Sequence, residues 1–249
     1  MIAPGSSDDV YFHRLAARAH AEAWQPEVAL DWTQPMSSAP FWPRGLMARL
    51  VSQLRHGEHE TGAMCKHLLA AMPAGGARLY LETQAADEAR HASAYAAYAA
   101  RLGEAPPSDP GFGEVFQDAA SWRGHPVGLV LAFHVVIEGE ALKLQSALAA
   151  RAPCTLFRAM NARIARDEAR HIAFGVGYAR ATLPALDPHE REAMARWIEA
   201  LWYRAATATR RRYRTLALLA GLGRHSNRAM WERRARRLAA LGLTEAMRP

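Results

Sequence analysis

From residue 44 onward, apolar positions recur every three to four residues, with Ala, Leu, Arg and Glu filling much of the sequence. That period marks amphipathic helices, and these residue types favour them. It predicts helices at about 44–72, 75–102, 124–151, 153–183, 187–221 and 225–241. The breaks fall at Pro73 with Gly75 and Gly76, at EAPPSDPGFG (104–113), and at Pro153, Pro184, Pro188 and Gly221/Gly223. Residues 1–43 read differently: Trp24, Pro26, Trp32, Pro35, Pro40, Trp42 and Pro43 punctuate an irregular arm with one short helix near 9–23. No segment alternates strictly enough for a strand. The chain reads as all-α.

The first four long helices pair off. A short turn at 73–76 joins one hairpin, a turn near Pro153 joins the other, and a longer connection at about 103–123 links them. Two hairpins and one long crossover is the connectivity of a ferritin-like four-helix bundle. The expected organisation is an arm (1–43), a bundle (44–185) and a C-terminal helical extension packed on it (186–249).

The pentapeptide DEARH occurs twice, at 87–91 and 167–171. Within each copy Glu and His stand three apart, Glu88 with His91 and Glu168 with His171. Residues so spaced share a helix face, so a carboxylate and an imidazole can converge on one metal ion. The missing ligands must come from the hairpin partner, which offers Glu58 or Glu60 before the first copy and Glu138 or Glu140 before the second. Both pairs are offset by eighty residues, so the repeat does not choose between them. The helical face does. Glu58 continues an apolar stripe of Val51, Leu54, Thr61, Cys65, Leu68 and Met72, whereas Glu60 lies with His56 and His67. Glu138 lies among Leu131, His134, Ala141, Leu142 and Gln145, whereas Glu140 has Lys143 one turn on.

The expected ligands are therefore Glu58, Glu88, His91, Glu138, Glu168 and His171. Bundles that hold two iron or manganese ions use this pattern: one Glu from each of two helices and Glu-x-x-His from each of the others. Four buried carboxylates would repel one another and resist desolvation, and two divalent cations cancel that charge. Oxygen and imidazole donors without thiolate suit Fe or Mn. Metal-bound His usually donates its second N–H to a carboxylate. Asp167 is expected to hold His91, and Asp87 to hold His171. The competing reading of both Asp residues is an ion pair with Arg90 or Arg170.

Charge is unevenly spread. Residues 200–249 carry twelve Arg against Glu232 and Glu245, so that stretch is +10 within a chain of net charge +7. RRRYR (210–214) and ERRARR (232–237) could dock an acidic partner, a CoA-type substrate or nucleic acid. No aromatic residues interleave the charge as in nucleic-acid motifs, which favours a solvated helix face. No apolar run reaches the ~18–20 residues of a membrane span. The start, MIAPGSSDDV, has no signal-peptide pattern, and Cys65 and Cys154 sit in apolar context as reduced thiols. A cytoplasmic protein is expected.

The chain resembles the ferritin-like di-iron oxidase and oxygenase superfamily, which includes the ribonucleotide reductase small subunit, the ligand-binding oxidases similar to it, p-aminobenzoate N-oxygenase and aldehyde-deformylating oxygenase. The resemblance spans roughly 44–185 and is most specific in HVVIEGEALKLQ (134–145) and RDEARHIAFG (166–175). It implies the same six ligands and two Fe ions, or a Mn/Fe pair. It further implies O2 as co-substrate, an external electron donor of reductase or ferredoxin type, and a homodimer. Tyr95 matches the radical-tyrosine position of the reductase subunit and is a candidate redox residue. Ile164 stands where the N-oxygenase carries an additional His, which weakens a direct assignment to N-oxygenation. The expected function is an oxidase or oxygenase acting on a small organic molecule by hydroxylation, N-oxygenation, desaturation or oxidative C–C cleavage. The alternatives are a ferritin-like iron-storage or detoxification protein and a tRNA-modifying di-iron hydroxylase. Glycines near the expected site (Gly62, Gly139, Gly175 and Gly177) indicate either room for a substrate or close helix packing.

Overall fold

The computed structural model describes residues 6–40, 42–103, 106–108, 110–212 and 227–243. The bundle is made by α3 (Arg44–Ala71), α4 (Gly76–Leu102), α7 (Glu138–Arg151) with the helical turns before it, and α8 (Thr155–Thr182). Two helices precede it, α1 (Ser6–Ala21) and the single turn α2 (Pro26–Ala29). The crossover is not bare loop: it holds α5 (Pro110–Ala120). After a 3-10 turn at Leu183–Ala185 come α9 (Pro188–Arg212) and α10 (Asn227–Ala240). The predicted continuation of the fifth helix from 213 to 221 lies outside the described residues. Among those residues there is no strand, only an isolated bridge between Ala39 and Trp42.

α3 pairs with α4 and α7 with α8, while α1 lies against α4 and α8, and α5 against α3 and α9. Local chemistry sets the ends. Gly103 closes α4 in the left-handed conformation (φ 70°), its N–H bonded to the Ala100 carbonyl. Pro126 opens α6 (Pro126–Val130), where its missing donor costs nothing, and His125 accepts from the Val127 N–H at 3.2 Å.

The third bundle helix departs from the continuous helix expected over 124–151. Between α6 and α7, residues Leu131–Ile137 form a π-helix, with His134 within it. The run VGLVLAFHVVI (127–137) is almost wholly buried and apolar on every side. Burial on all sides leaves no stripe whose period would distinguish a π turn from an α turn.

The segment read as an irregular arm begins with a helix that is part of the packing. Phe12 is fully buried, with its ring centroid 5.4 Å from that of Phe174, and Tyr11 donates to the Ala173 carbonyl at 3.1 Å. Asp9 accepts from the Gly76 N–H at 2.6 Å, placing a carboxylate at the positive end of α4.

Apolar side chains form two separate clusters, one around Leu68, Tyr80, Phe133, Phe174 and Trp202, the other around Val51, Tyr95, Phe157, Met160 and Ile164. Each bundle helix crosses from one cluster to the other. In α4, Tyr80 and Leu81 belong to the first cluster and Tyr95 and Tyr98 to the second; in α8 the order reverses, Phe157 and Ile164 preceding Phe174 and Tyr178. A polar layer separates them, and the expected ligands occupy it.

A Cβ at Gly76 would lie 2.5 Å from His13 Nδ1 and 2.6 Å from the Asp9 carbonyl oxygen. Gly76→Ala should therefore push α1 off the bundle and lower unfolding stability by about 1–3 kcal/mol, read from the urea midpoint. A stability equal to the parent chain would show that α1 docks without that close approach.

Candidate metal centre

Glu58 comes from α3, Glu88 and His91 from α4, Glu138 from the first residue of α7, and Glu168 and His171 from α8. All six are buried, none more than 5% exposed. Their potential ligand atoms fall into two groups that share Glu88: Glu58, Glu88, His91 and Glu168, and Glu88, Glu138 and His171, the atoms of each within 4.8 Å of one another. Both imidazoles turn Nδ1 inward. His91 Nδ1 is 3.4 Å from Glu58 Oε2 and 3.6 Å from Glu88 Oε2. His171 Nδ1 is 3.3 Å from Glu88, 3.4 Å from Glu168 and 3.7 Å from Glu138. Glu88 and Glu168 thus stand between the two halves.

The alternative carboxylates point elsewhere. Glu60 lies 3.7 Å from His56 at the half-buried flank of α3, and Glu140 pairs with Lys143 at 3.2 Å and with Arg234.

Each histidine's outward nitrogen meets the Asp of the opposite pentapeptide: His91 Nε2 is 3.0 Å from Asp167 and His171 Nε2 is 3.2 Å from Asp87. The ion-pair reading holds at the same time, since Arg170 contacts both Asp residues and Arg90 pairs with Asp87. Both carboxylates therefore sit between an imidazole and a guanidinium, which fixes the ring orientation of each His. Burial alone would raise the Asp167 carboxyl, but His91, Trp24 and Arg170 outweigh it and hold the group well below the usual range.

Sequence reasoning missed several partners. Gln84, one turn before Glu88, donates to Glu138 at 2.7 Å and to Glu88 at 3.2 Å, while its oxygen lies 3.0 Å from His134 Nε2. Gln145 donates to Glu168 at 3.2 Å. Trp24, from the arm, donates to Asp167 at 2.8 Å and lies under the Arg90 guanidinium, 5.7 Å from its carbon. Gln84 shares a face with Glu88 and His91 and was findable from helical spacing; Trp24 carried no such signal. Tyr95 is fully buried one turn past His91, and its hydroxyl donates to Asn161 at 2.9 Å, not to a ligand carboxylate.

The glycines are settled by their neighbours. A Cβ at Gly175 would meet His134 Cβ at 2.4 Å, one at Gly139 the Arg234 guanidinium at 2.3 Å, and one at Gly177 the Tyr11 ring at 2.5 Å. A Cβ at Gly62 would sit 3.6 Å from that of Glu88. At Gly139, Gly175 and Gly177 glycine allows close packing; at Gly62 a methyl group would fit at ordinary contact distance.

Whether the layer suits metal ions can be judged from its unmet bonds. Glu88 Oε2, Glu138 Oε2, Glu168 Oε2 and His171 Nδ1 are buried without a hydrogen-bond partner. Each such atom costs about 1–3 kcal/mol, more when charged. All four belong to the ligand set, and cations between them would satisfy them together. The residues fit a pair of metal ions.

Comparison with known proteins supports the architecture. No family model and no curated sequence matches the chain. Among solved structures, an R2-like ligand-binding oxidase with an aerobically reconstituted Mn/Fe cofactor superposes with TM-score 0.63 at 16% identity, over 94% of this chain and 92% of that one. A point mutant of such an oxidase, also with a Mn/Fe cofactor, gives 0.66 at 16% identity over 90% and 91%. A third, with a metal cofactor after photoconversion, gives 0.61 at 16% over 94% and 93%. The chain shares the all-α fold of these R2-like oxidases. None of the helices among the described residues is long and apolar enough to cross a membrane.

Loading with Fe(II) or Mn(II) should give two ions per chain by elemental analysis, and Glu60→Gln and Glu140→Gln should keep both. Glu58→Gln and Glu138→Gln should each lose roughly one ion, because each removes a ligand from one half. Unchanged metal content in the latter pair would reassign the ligands.

Without metal, burial raises Glu58 and Glu138 well above the usual carboxylate range. Burial opposes the charge on both imidazoles, yet Glu58 acting on His91, and Glu138 and Glu88 acting on His171, raise them well above the ordinary value. Burial would likewise raise Glu88, but His171 and His91 hold it at about 2. The folded apoprotein therefore binds more protons than the unfolded chain above pH ~6.5, so its stability falls as pH rises. Metal replaces those protons, so the loaded protein should lose less stability over pH 6.5–9 and release protons on loading. Parallel pH curves for the two forms would contradict this.

Proposed function

We propose that the chain holds two redox-active ions, Fe/Fe or Mn/Fe, in this layer and uses them with O2 to oxidise a small organic molecule. The observation that carries the reading is the buried layer of four glutamates, three of them with an oxygen that has no hydrogen-bond partner. The Mn/Fe cofactors named for the structural neighbours support it. Two such ions, when bound, supply the electrons and the open coordination positions that reduce dioxygen.

The chain's own groups prepare that chemistry. Glu88, common to both groups of ligand atoms, would hold the ions together with Glu58, His91 and Glu168 on one side and Glu138 and His171 on the other. Gln84 and Gln145 orient carboxylates by donating amide N–H to them. Asp87 and Asp167 fix the two imidazoles. The apolar clusters on both sides exclude water, and a dry site strengthens each of these interactions. Tyr95, kept a neutral phenol by burial one turn past His91, is the candidate redox residue. An external reductase or ferredoxin-type protein would renew the electrons, and the subunits would associate as a homodimer.

Anaerobic loading with Fe(II), followed by oxygen, should consume O2 and convert a candidate small molecule to a product of altered mass. Tyr95→Phe should keep the metals and lower turnover or abolish a tyrosyl radical signal. Mineral iron without organic product would instead mark a storage protein. Tight, steeply salt-dependent tRNA binding with modification of the RNA would mark the tRNA hydroxylase.

A further inference from the structure

On the outer side of α7, away from the polar layer, α10 forms one wall of a cleft of about 360 Å³ lined by Lys143, Arg233, Arg234, Arg236 and Arg237, with Met230 and Ala240. Charge is unbalanced there. Glu140 is already shared between Lys143 and Arg234, and the acid on α10, Glu232, is taken by Arg228 at 2.9 Å. Arg233, Arg236 and Arg237 are exposed, and no acidic partner meets them among the described residues. They stand at i, i+3 and i+4, where like charges share a helix face and repel. A solvated helix face is ordinarily eased by interleaved acids at that spacing; the acid here, Glu232, stands four residues before Arg236 but pairs with Arg228.

The floor of the cleft is built, not loose. Arg234 is 3% exposed, and its guanidinium is held by the Val135 carbonyl at 2.6 Å and by Glu140. Gly139 leaves room for it, since a Cβ there would meet it at 2.3 Å. Arg234 is therefore fixed in place with its charge met by Glu140, and the exposed Arg233, Arg236 and Arg237 supply the positive charge of the cleft. Guanidinium forks match the oxygens of phosphate groups, and the volume lies at the lower end of small-molecule sites.

We propose that this cleft binds a phosphorylated small anion, a polyphosphate or a phosphate ester, with Arg233, Arg236 and Arg237 as its ligands. The proposal does not depend on the metal ions: its three ligands lie outside the polar layer, and substituting them should leave metal content unchanged.

Calorimetric titration of the full metal-loaded chain with inorganic pyrophosphate should show one saturable site whose affinity falls as salt rises. The double variant Arg233→Gln/Arg237→Gln, checked for a native circular dichroism spectrum and metal content, should bind roughly tenfold or more weakly. Adenosine diphosphate at least as tight as pyrophosphate would identify a phosphate ester as the ligand; pyrophosphate alone would identify the free polyphosphate. Absence of saturable binding at millimolar pyrophosphate would overturn the proposal. So would equal affinity in the double variant, which places binding elsewhere on the basic C-terminal region, or binding of polyglutamate alone, which would make the face a protein-docking surface.

Discussion

The rest of the structure depends on a buried layer of four carboxylates and two imidazoles that cuts an otherwise apolar interior in two. Isolated charges in such a place cost several kcal/mol each, and the packing above and below offers them no solvent. Something of opposite sign must lie inside the layer. Protons shared among these glutamates and histidines serve in the apoprotein; two divalent cations would serve better, because they would also satisfy the orphaned oxygens of Glu88, Glu138 and Glu168. Each bundle helix carries its polar residues between apolar turns that belong to the two clusters.

Around that layer further hydrogen bonds fix its carboxylates and imidazoles. The pseudo-twofold exchange of His91 with Asp167 and His171 with Asp87 ties α4 to α8 directly. Its symmetry is broken by the surroundings. Trp24 adds a donor to Asp167, whereas Gln84 links Glu88, Glu138 and the π-helical His134 on the other side. The two halves of the layer therefore have different hydrogen-bond partners. The π-helix lies immediately before Glu138, and Gly175 lets His134 approach α8 closely enough to keep it there.

Much of this was legible from spacing. Glu88 with His91 and Glu168 with His171 announce themselves by the i, i+3 interval, and the stripe of apolar residues around Glu58 and Glu138 separates them from Glu60 and Glu140, which the fold places outside the layer. What was illegible has physical reasons. The π turns lie in a run apolar on all sides, where no period survives. Trp24 and Arg234 reach their partners across 143 and 99 residues, distances over which local pattern carries nothing. The glycines were ambiguous because room for a substrate and room for a neighbour leave the same letter in the sequence.

The most direct test of the buried dinuclear layer is anomalous diffraction from crystals of the iron-loaded chain. Two peaks about 3.5–4 Å apart, lying between Glu88 and Glu168 and reached by both His Nδ1 atoms, are the expected result. No peak in the layer, or a single one at the protein surface, would contradict the account.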